Sequence, residues 1–391
     1  MVMKVLIIHP FPEGGGGAEI QLYRNIKTLE SLNYSVTVLS IYKLSSIELQ
    51  TLGEKCDIKI GNIKNISLFP FKNIKFFKFP ILLGYAIALR KGNQIKDDFN
   101  MIHTIIGECP IEHPTVIQHF CIPLFSIKRK NLEFLGFFPK YNFEYLIRFF
   151  YIEFCKKICN FNSKIISRHY SLANSKWTAK NVKNEYKDLI FCKHIYFWPK
   201  KVFNKNHKVK SFKNRERIII MLGRIVRSKN YYLGLKLISM LNKYGLDYKL
   251  LIIGRSNTNY SKVIEKELKK ISDNFEILFD AEREQIFKKC STAMFGLHGF
   301  KFEHFGSAAA EMRAAGLPTF VPAYGGQAEI AKKLFTYKVI EDIIEKILFF
   351  EKNNEEYNLH SKEIFDFSLN NNNLTYEKEL KKHFKLFKSK K

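Results

Sequence analysis

Acidic residues and long apolar runs are both scarce in this sequence of 391 residues. Asp and Glu total 37 against 64 Lys and Arg, so the formal net charge is +27. Such an excess indicates an anionic partner, which can be nucleic acid, an acidic lipid surface or a phosphate-bearing substrate. The longest apolar run, Pro80–Leu89, has about half the length that a bilayer requires, so we expect no membrane-spanning segment. The N-terminal MVMKVLIIHPFP is too short and too soon interrupted for a signal peptide.

Paired cysteines are also missing. The seven cysteines are scattered and no CxxC pair occurs, which argues against a zinc site and against a redox motif. We therefore expect reduced cysteines in a cytosolic protein. No DxD-type cluster of acids stands at a predicted strand end, so we predict neither a metal site nor a cofactor.

What is present is an alternation of apolar strands and amphipathic helices. Strands are predicted in the first half at 4–9, 35–42, 101–106 and 114–120, with one or two more within 164–175. In the second half they are predicted at 217–222, 248–254, 275–279, 292–297 and 318–323. Continuous apolar strands separated by helices predict α/β architecture with parallel, doubly wound sheets. A polar, basic seam follows residue 197, so we predict domains at 1–200 and 201–365, and a C-terminal helix within 366–391 that packs back on the first domain.

Two stretches of the first domain, 63–90 and 124–157, mix Phe and Tyr with Lys and Arg. Such a stretch can lie at a lipid surface, with its rings inward and its basic groups on the headgroups. It can also pack its rings into the domain core and leave its charges in solvent. The net charge favours surface contact by at least one of them, so we expect attachment to an anionic membrane surface.

The segment FEHFGSAAAEMRAAGLPTF, at 302–320, holds two carboxylates eight residues apart. Ser307 is the predicted N-cap of a small-residue helix that stops before Gly-Leu-Pro. Glu303 then lies in the loop after a strand, and Glu311 lies one turn into the helix. The amides at 305–308 form an anion site, and the acids can accept hydrogen bonds from hydroxyls. Taken alone, both acids can equally be ordinary surface charges.

Two cations and a glycine run complete the pattern. Arg224 and Lys229 flank a strand-to-helix turn in GRIVRSK, so both can converge on the crevice above the strand ends. Gly14–Gly17 let backbone amides approach a pyrophosphate, although the spaced GxGxxG of a dinucleotide fold is absent. Cations and amides for a diphosphate, with acids for ribose or hexose hydroxyls, suit a nucleotide sugar.

Together these features resemble the retaining glycosyltransferases of family 4, which have the GT-B fold. The resemblance is carried by Gly14–Glu19, Arg224-x4-Lys229, Glu303-x7-Glu311, Gly316-Leu-Pro318 and Gly325-Gly326-x2-Glu329. The EHFG wording, with His298-Gly299 upstream, resembles the members that extend lipid-linked oligosaccharides. The resemblance implies two Rossmann-like, doubly wound domains that face each other across a cleft.

The resemblance also implies roles for individual residues. Arg224 and Lys229 would bind the donor diphosphate, Glu303 would face the transferred sugar and Glu311 the ribose. The implied donor site comprises Gly15, Gly16, Gly223, Arg224, Lys229, Glu303, Phe305, Gly306, Ser307 and Glu311. In the family a histidine that ends a central strand of the first domain lies near the reacting carbon, and His119 is the best match here, with His103 second. The implied catalytic set is His119, Glu303, Arg224 and Lys229, and the segment 280–286 is expected near the base.

The implied reaction moves a hexose from a nucleoside-diphosphate sugar to a lipid-linked or other glycan acceptor, with retention. No acid of the first domain stands out as a nucleophile at glycosidase spacing, so front-face substitution without a metal is expected, at the cytosolic face of a membrane. A GT-B epimerase or phosphorylase, and an inactive membrane-surface scaffold, remain alternatives. Nucleic-acid binding is disfavoured because the basic residues are spread along the chain without an RRM, KH, zinc or helix-turn-helix pattern.

Overall fold

The computed structural model describes residues 2–13, 16–70, 80–125, 142–204, 206–256 and 259–387. The chain divides into two compact units. The first unit contains Met1–Phe197 and Tyr376–Lys391, and the second contains Trp198–Thr375. The division falls three residues before the boundary predicted at 200–201, and the chain returns to the first unit ten residues after the predicted 366.

The first unit is built on a seven-stranded parallel sheet. Its strands are β1 (Lys4–Ile8), β2 (Ser35–Tyr42), β3 (Lys64–Phe69), β4 (Met101–Thr104), β5 (Val116–Phe120), β6 (Tyr170–Ala173) and β7 (Cys192–His194). They pair in the order β3-β2-β1-β4-β5-β6-β7. The helices are α1 (Gly17–Glu30), α2 (Ser46–Lys55), α3 (Ile81–Gln94), α4 (Asn142–Ile158), α5 (Ser163–Arg168) and α6 (Lys176–Glu185). The central strands are buried on both faces, as helices on both sides of a sheet require.

The second unit repeats the plan with six parallel strands. They are β8 (Glu216–Leu222), β9 (Lys249–Gly254), β10 (Phe275–Phe279), β11 (Ala293–Leu297), β12 (Thr319–Pro322) and β13 (Thr336–Tyr337), in the order β10-β9-β8-β11-β12-β13. The helices are α7 (Tyr231–Lys243), α8 (Ile264–Lys269), α9 (Arg283–Thr292), α10 (Ser307–Ala314), α11 (Gln327–Ile330), α12 (Ile340–Lys352), α13 (Asn354–Asn370) and α14 (Asn373–Lys385). Two Rossmann-like parallel-sheet units confirm the predicted fold class.

From Tyr376 onward, α14 belongs to the first unit. The hydroxyl of Tyr376 accepts a hydrogen bond from the Asn25 amide of α1 at 3.1 Å. The Tyr34 hydroxyl donates to the carbonyl of Phe384 at 3.2 Å, and the ring of Phe384 meets the edge of His103. Buried hydrogen bonds and ring contacts therefore hold the end of the chain in the core of the first unit.

One predicted strand, 164–175, is wrong in its first half. The Asn162 side chain accepts a hydrogen bond from the Lys164 amide and begins the short helix α5, and only β6 is extended. An Asn side chain that replaces a missing helical acceptor is a typical helix start, and here it overrides the β-branched residues that follow. The short strands β3, β7 and β13 were not predicted.

Helix α4 lies in the predicted stretch 124–157, of which 126–141 fall outside the described residues, as do 71–79 of the other stretch. It buries Ile152 and Cys155. It also exposes six large apolar side chains by half or more, namely Phe143, Leu146, Ile147, Phe149, Phe150 and Phe154. The helix is thus apolar on its outward face as well as its inward face. Among the described helices, none combines the length and the apolar character needed to cross a bilayer.

Candidate active site

In the second unit, the carboxyl ends of β8, β9 and β11 meet at one edge of the sheet, where parallel sheets place their ligands. Gly223 follows β8 with a φ of +144°. A Cβ there would lie 3.5 Å from Lys229 Cε and 4.0 Å from Ala308 Cβ. Gly254 packs directly on Gly223, because a Cβ at Gly254 would lie only 2.2 Å from the Gly223 carbonyl oxygen. The two glycines let the strand ends, Lys229 and the start of α10 pack together without side chains between them.

Lys229 and Glu303 form an ion pair at this edge, with 2.5 Å between Nζ and Oε2. His298 completes the group, because its Nε2 lies 3.2 Å from the same Glu303 oxygen and 3.3 Å from Lys229 Nζ. The contact depends on Gly299, where a Cβ would lie 2.4 Å from the Lys229 carbonyl oxygen. The loop after β11 therefore packs directly on the backbone of Lys229, which brings the predicted cation and the predicted acid into contact.

The electrostatics of this group are set by burial and by Lys229. Burial alone would raise the pKa of Glu303, but the ammonium of Lys229 and the hydrogen bond with His298 outweigh it and hold that pKa well below its usual range. Burial, and then the nearby Lys229 charge, lower the pKa of His298. At neutral pH the group therefore consists of an ionised carboxylate, an ammonium and a neutral imidazole.

Helix α10 begins at this ion pair, but not at the residue predicted. Gly306, with a φ of +91°, is the N-cap, and Ser307 is the first helical residue. The left-handed conformation of the cap requires glycine, which overrides the general preference for serine at an N-cap. The first helical hydrogen bond runs from the Ala310 amide to the Gly306 carbonyl, and no side chain caps the start. The amides of Ser307, Ala308 and Ala309 thus have no acceptor within the helix, and such amides are able to bind an anion.

Replacing Gly306 by alanine should lower the melting temperature and the activity together. A left-handed alanine costs about 1–3 kcal/mol, and its Cβ would lie 2.7 Å from Gln327 Cβ, so the start of α10 must shift. Gly245→Ala is the matched control, because Gly245 has a φ of +74° with no atom within 4 Å of its Cβ position. Thermal unfolding and activity of the two variants would be compared. Equal losses would contradict a role for the close contact with Gln327.

The other predicted residues of the second unit lie around this centre. Arg224 follows Gly223 and is exposed, and no hydrogen bond or ion pair of its side chain is found within the described part of the chain. Glu311 lies one turn into α10, 3.9 Å from the guanidinium of Arg283. Arg283 belongs to the segment 280–286, so that segment does lie beside Glu311. The ring of Phe305 is buried against Trp198 and anchors the loop that carries Glu303.

The predicted site residues of the first unit are Gly15, Gly16 and His119, with His103 as the second candidate histidine. Gly15 lies outside the described residues. The amide of Gly16 donates to the Glu19 carboxylate at 2.6 Å, so within this unit a side chain already occupies it. His119 is the penultimate residue of β5 and is completely buried, with the Gln21 amide nitrogen 2.8 Å from its Nδ1. Burial, with a contribution from His103, lowers the pKa of His119 to about 3, so its imidazole is neutral.

His103 is held differently. Its Nδ1 lies 2.8 Å from the Ile117 carbonyl oxygen and its Nε2 lies 2.9 Å from the Asn25 side-chain oxygen. Both ring nitrogens are thus engaged inside the first unit, which is typical of a structural histidine. Both ring nitrogens of His119 likewise lie within 3.1 Å of the Gln21 amide nitrogen, so a contact of either histidine with substrate stays a prediction.

Sequence reasoning did not assign a role to His298 or Gln21. His298 follows the last residue of β11 directly, so the rule that functional side chains follow strand ends would have found it. Gln21 gave no comparable indication, since it lies inside α1 and contacts His119 only through the fold.

Known protein sequences resemble parts of this chain. Residues 202–364 match the model of the family described as glycosyl transferases group 1. The chain is 22% identical over 364 residues to the Dictyostelium discoideum GDP-Man:Man(3)GlcNAc(2)-PP-Dol alpha-1,2-mannosyltransferase, with 81% of this chain and 70% of that protein covered.

Solved structures resemble the whole chain. Anabaena HepE in complex with UDP and glucose matches with a TM-score of 0.63 at 14% identity, covering 98% of this chain and 99% of that one. Sucrose-phosphate synthase from Thermosynechococcus elongatus matches with a TM-score of 0.69 at 13% identity, covering 100% of both chains. Two parallel-sheet units of the GT-B fold are thus present, and residues 202–364 are similar to the glycosyl transferases group 1 family.

Proposed function

We propose that this chain is a retaining glycosyltransferase that moves mannose from GDP-mannose to a lipid-linked, pyrophosphate-bearing glycan. The observation that carries the proposal is the Lys229–Glu303–His298 group beside the open amides at the start of α10. The family match of the second unit supports glycosyl transfer. The name of the Dictyostelium relative supports the choice of base, sugar and acceptor class.

Each side chain of the second-unit site has a task in this proposal. The amides of α10 and the charges of Lys229 and Arg224 bind the diphosphate and stabilise it as it leaves. The ionised Glu303 accepts a hydrogen bond from a hydroxyl of the transferred hexose. Glu311, one turn further along α10, accepts hydrogen bonds from the ribose.

The proposed reaction is a front-face substitution. The bond between the anomeric carbon and the diphosphate oxygen breaks, and the acceptor hydroxyl oxygen bonds to that carbon on the same face. The hydroxyl proton passes to the departing phosphate oxygen. The fixed charges and helix amides provide the stabilisation of the leaving group, so we propose that transfer requires no metal. His119, being neutral, would act as a hydrogen-bonding group near the reacting carbon and not as a strong base.

Attachment to the cytosolic face of a membrane is part of the proposal. The outward face of α4 exposes Phe143, Phe150 and Phe154, spaced by seven and four residues along the same side of the helix. Lys156 and Lys157 follow at its end, and the whole chain carries a net charge of +27. Exposed rings with basic residues beside them fit insertion among anionic headgroups, where a lipid-linked acceptor is found.

Thermal shift against GDP, UDP, ADP and their sugar conjugates tests the donor. We expect GDP and GDP-mannose to raise the melting temperature, because a ligand at 100 times its Kd adds about 2.7 kcal/mol to the free energy of unfolding. The shift should vanish in Glu311→Ala and Arg224→Ala. Arg217→Ala is the matched control, since Arg217 lies near the amino end of β8, away from the site, and pairs with Glu351.

Transfer would be assayed with the lipid-linked acceptor, with and without EDTA, and the anomeric configuration of the product read by NMR. A shift with UDP alone would mean that the donor is a UDP-sugar and not GDP-mannose, while the proposed class of reaction would stand. Epimer or sugar-phosphate products would favour an epimerase or phosphorylase. If no nucleotide shifts the wild type at millimolar concentration, an inactive scaffold becomes the better interpretation.

A further inference from the structure

Helix α10 carries a buried arginine without an anionic partner. Arg313 is 3% exposed, and its Nη1 contacts no hydrogen-bond acceptor within the described residues. Burial lowers the pKa of Arg313 to about 10, and no carboxylate in the described part of the chain contributes to that shift. The side chain is therefore still charged at neutral pH. A buried charge without a partner is costly, and arginine is rarely buried in this way.

Arg215 shows how a buried arginine of the same unit is ordinarily stabilised. Its guanidinium donates to the carbonyls of Ala293 and Gly316 at 2.8 and 3.0 Å, and to the Ser361 hydroxyl at 3.0 Å. Such hydrogen bonds replace those that the group makes to water before burial. Nη1 of Arg313 has no such compensation, so stability of the fold does not account for this charge.

The place of Arg313 in the fold suggests what the charge does. It lies on α10, six residues or about 9 Å along the helix from Ser307. Long side chains on a helix lean towards its N-terminus. Ala309 and Ala310, buried in the turn before Arg313, leave room for such a side chain. The guanidinium is thus about 12 Å from a phosphate group bound at the open amides of α10.

A charge in the interior acts over that distance. At an effective dielectric constant of about 20, two unit charges about 12 Å apart change a binding constant about tenfold. Salt screens a buried charge much less than an exposed one, such as that of Arg224. The interaction favours an anion, and it grows with the charge of that anion.

We propose that Arg313 is a buried positive charge that strengthens binding of the diphosphate at the start of α10 without contacting it. This inference rests on the proposed function and adds a residue that sets the affinity for the leaving group. The same charge stabilises the diphosphate as its bond to the anomeric carbon breaks. The free protein is then less stable than a variant with an apolar side chain at this position.

The test measures binding of GDP, GMP and guanosine to the wild type and to Arg313→Met by calorimetry. We expect the Kd of GDP to rise at least about tenfold, that of GMP to rise less and that of guanosine to stay within about twofold, because the lost interaction scales with ligand charge. The melting temperature of the free variant should stay unchanged or rise, since an unpaired buried charge is removed. The uridine series replaces the guanosine series if UDP and not GDP binds.

Two further variants separate the charge of Arg313 from its shape and its hydrogen bonds. Arg313→Lys keeps the charge and should bind GDP within about threefold of the wild type. Arg313→Gln keeps polar atoms without the charge, so it should bind GDP as weakly as Arg313→Met does, and it takes the place of that variant if methionine prevents folding.

Arg215→Met is the matched control, because it removes a buried arginine that bonds to Gly316 at the opposite end of α10. It leaves buried carbonyls without a donor, so the melting temperature should fall. The Kd of GDP should change less than about threefold, since the charge removed lies farther from the phosphate.

GDP binding within twofold of the wild type in both Arg313→Met and Arg313→Gln would overturn the inference, as would equal losses for GDP and guanosine. Either result would leave the proposed function standing. Inorganic pyrophosphate separates the two in the other direction, because it has the charges without a base. If pyrophosphate but no nucleotide binds the wild type, and Arg313→Met weakens that binding about tenfold, the inference holds and the proposed function fails. If neither ligand binds, both fail.

Discussion

Replacing Lys229 by methionine should lower kcat by about 10²–10³-fold, the effect of removing one fixed group that stabilises developing charge. Lys229 Nζ lies 2.5 Å from Glu303 and within 3.3 Å of His298, so the change removes the cation from the centre of the site. The KM for the sugar nucleotide should change less than kcat, since the charge on the diphosphate grows as it leaves. Steady-state kinetics with the proposed donor and acceptor would measure both.

The same substitution should reverse the pH dependence of stability at this site. In the wild type the pKa of Glu303 lies below its unfolded value, so the pair stabilises the fold above the unfolded pKa and this contribution is lost as the pH falls through the folded pKa. Without Lys229, burial is the largest effect and only His298 opposes it, so we expect the pKa of Glu303 to rise above the unfolded value. Stability should then decrease as the pH rises past the unfolded value, which melting temperatures between pH 4 and 8 would show.

Lys332→Met provides the control. Lys332 pairs with Glu363 on the surface of the same unit, and both side chains are about 40% exposed. Such a pair contributes about 0–1 kcal/mol, so kcat and the pH dependence should be close to those of the wild type. If Lys229→Met retains more than a tenth of the wild-type kcat, Lys229 does not stabilise the leaving group.

Changing Phe143, Phe150 and Phe154 together to serine should abolish binding to vesicles that contain phosphatidylserine. Each ring contributes at least about 1.5 kcal/mol when it leaves water, so loss of all three lowers the partition coefficient by about 10³-fold. The three rings are 58%, 65% and 55% exposed, so the fold should tolerate the change. Co-sedimentation with vesicles, and thermal unfolding of the same sample, would test both statements.

The control removes three partly exposed apolar side chains from the second unit. Phe349, Leu359 and Phe367 lie on α12 and α13 and are 44%, 52% and 42% exposed. Their triple serine variant should bind vesicles as the wild type does. Binding that survives in the α4 variant, or that falls equally in both variants, would refute α4 as the contact surface.

The part of the site that could be predicted from sequence is the part that follows strand ends. Parallel strands place their carboxyl ends at one edge, so Arg224, Glu303 and the amides after Gly306 could be assigned to one crevice from their order alone. The ion pair between Lys229 and Glu303 could not, because it depends on how closely Gly299 packs on the Lys229 backbone. That approach is a tertiary contact between segments about 70 residues apart.

Local preferences failed where the backbone conformation or a side-chain cap decided the outcome. Ser307 has the usual preference for an N-cap, but the chain turns through a left-handed residue, and only Gly306 adopts that conformation at low cost. Ile165 and Ile166 are β-branched and favour a strand. The Asn162 side chain instead caps a helix that begins at Ser163 and includes both residues.

The return of α14 to the first unit has a consequence for biosynthesis. A ribosome delivers the chain from its N-terminus, so domains generally fold as they emerge. The first unit cannot do so completely before the second unit is made, because Tyr376 and Phe384, which bond to Asn25 and Tyr34, follow the second unit in the chain. The second unit has its whole sequence available earlier than the unit that begins the chain. A nascent first unit therefore exposes the surface that α14 covers until the second unit has been made, and loss of α14 would destabilise the unit that precedes it in the chain.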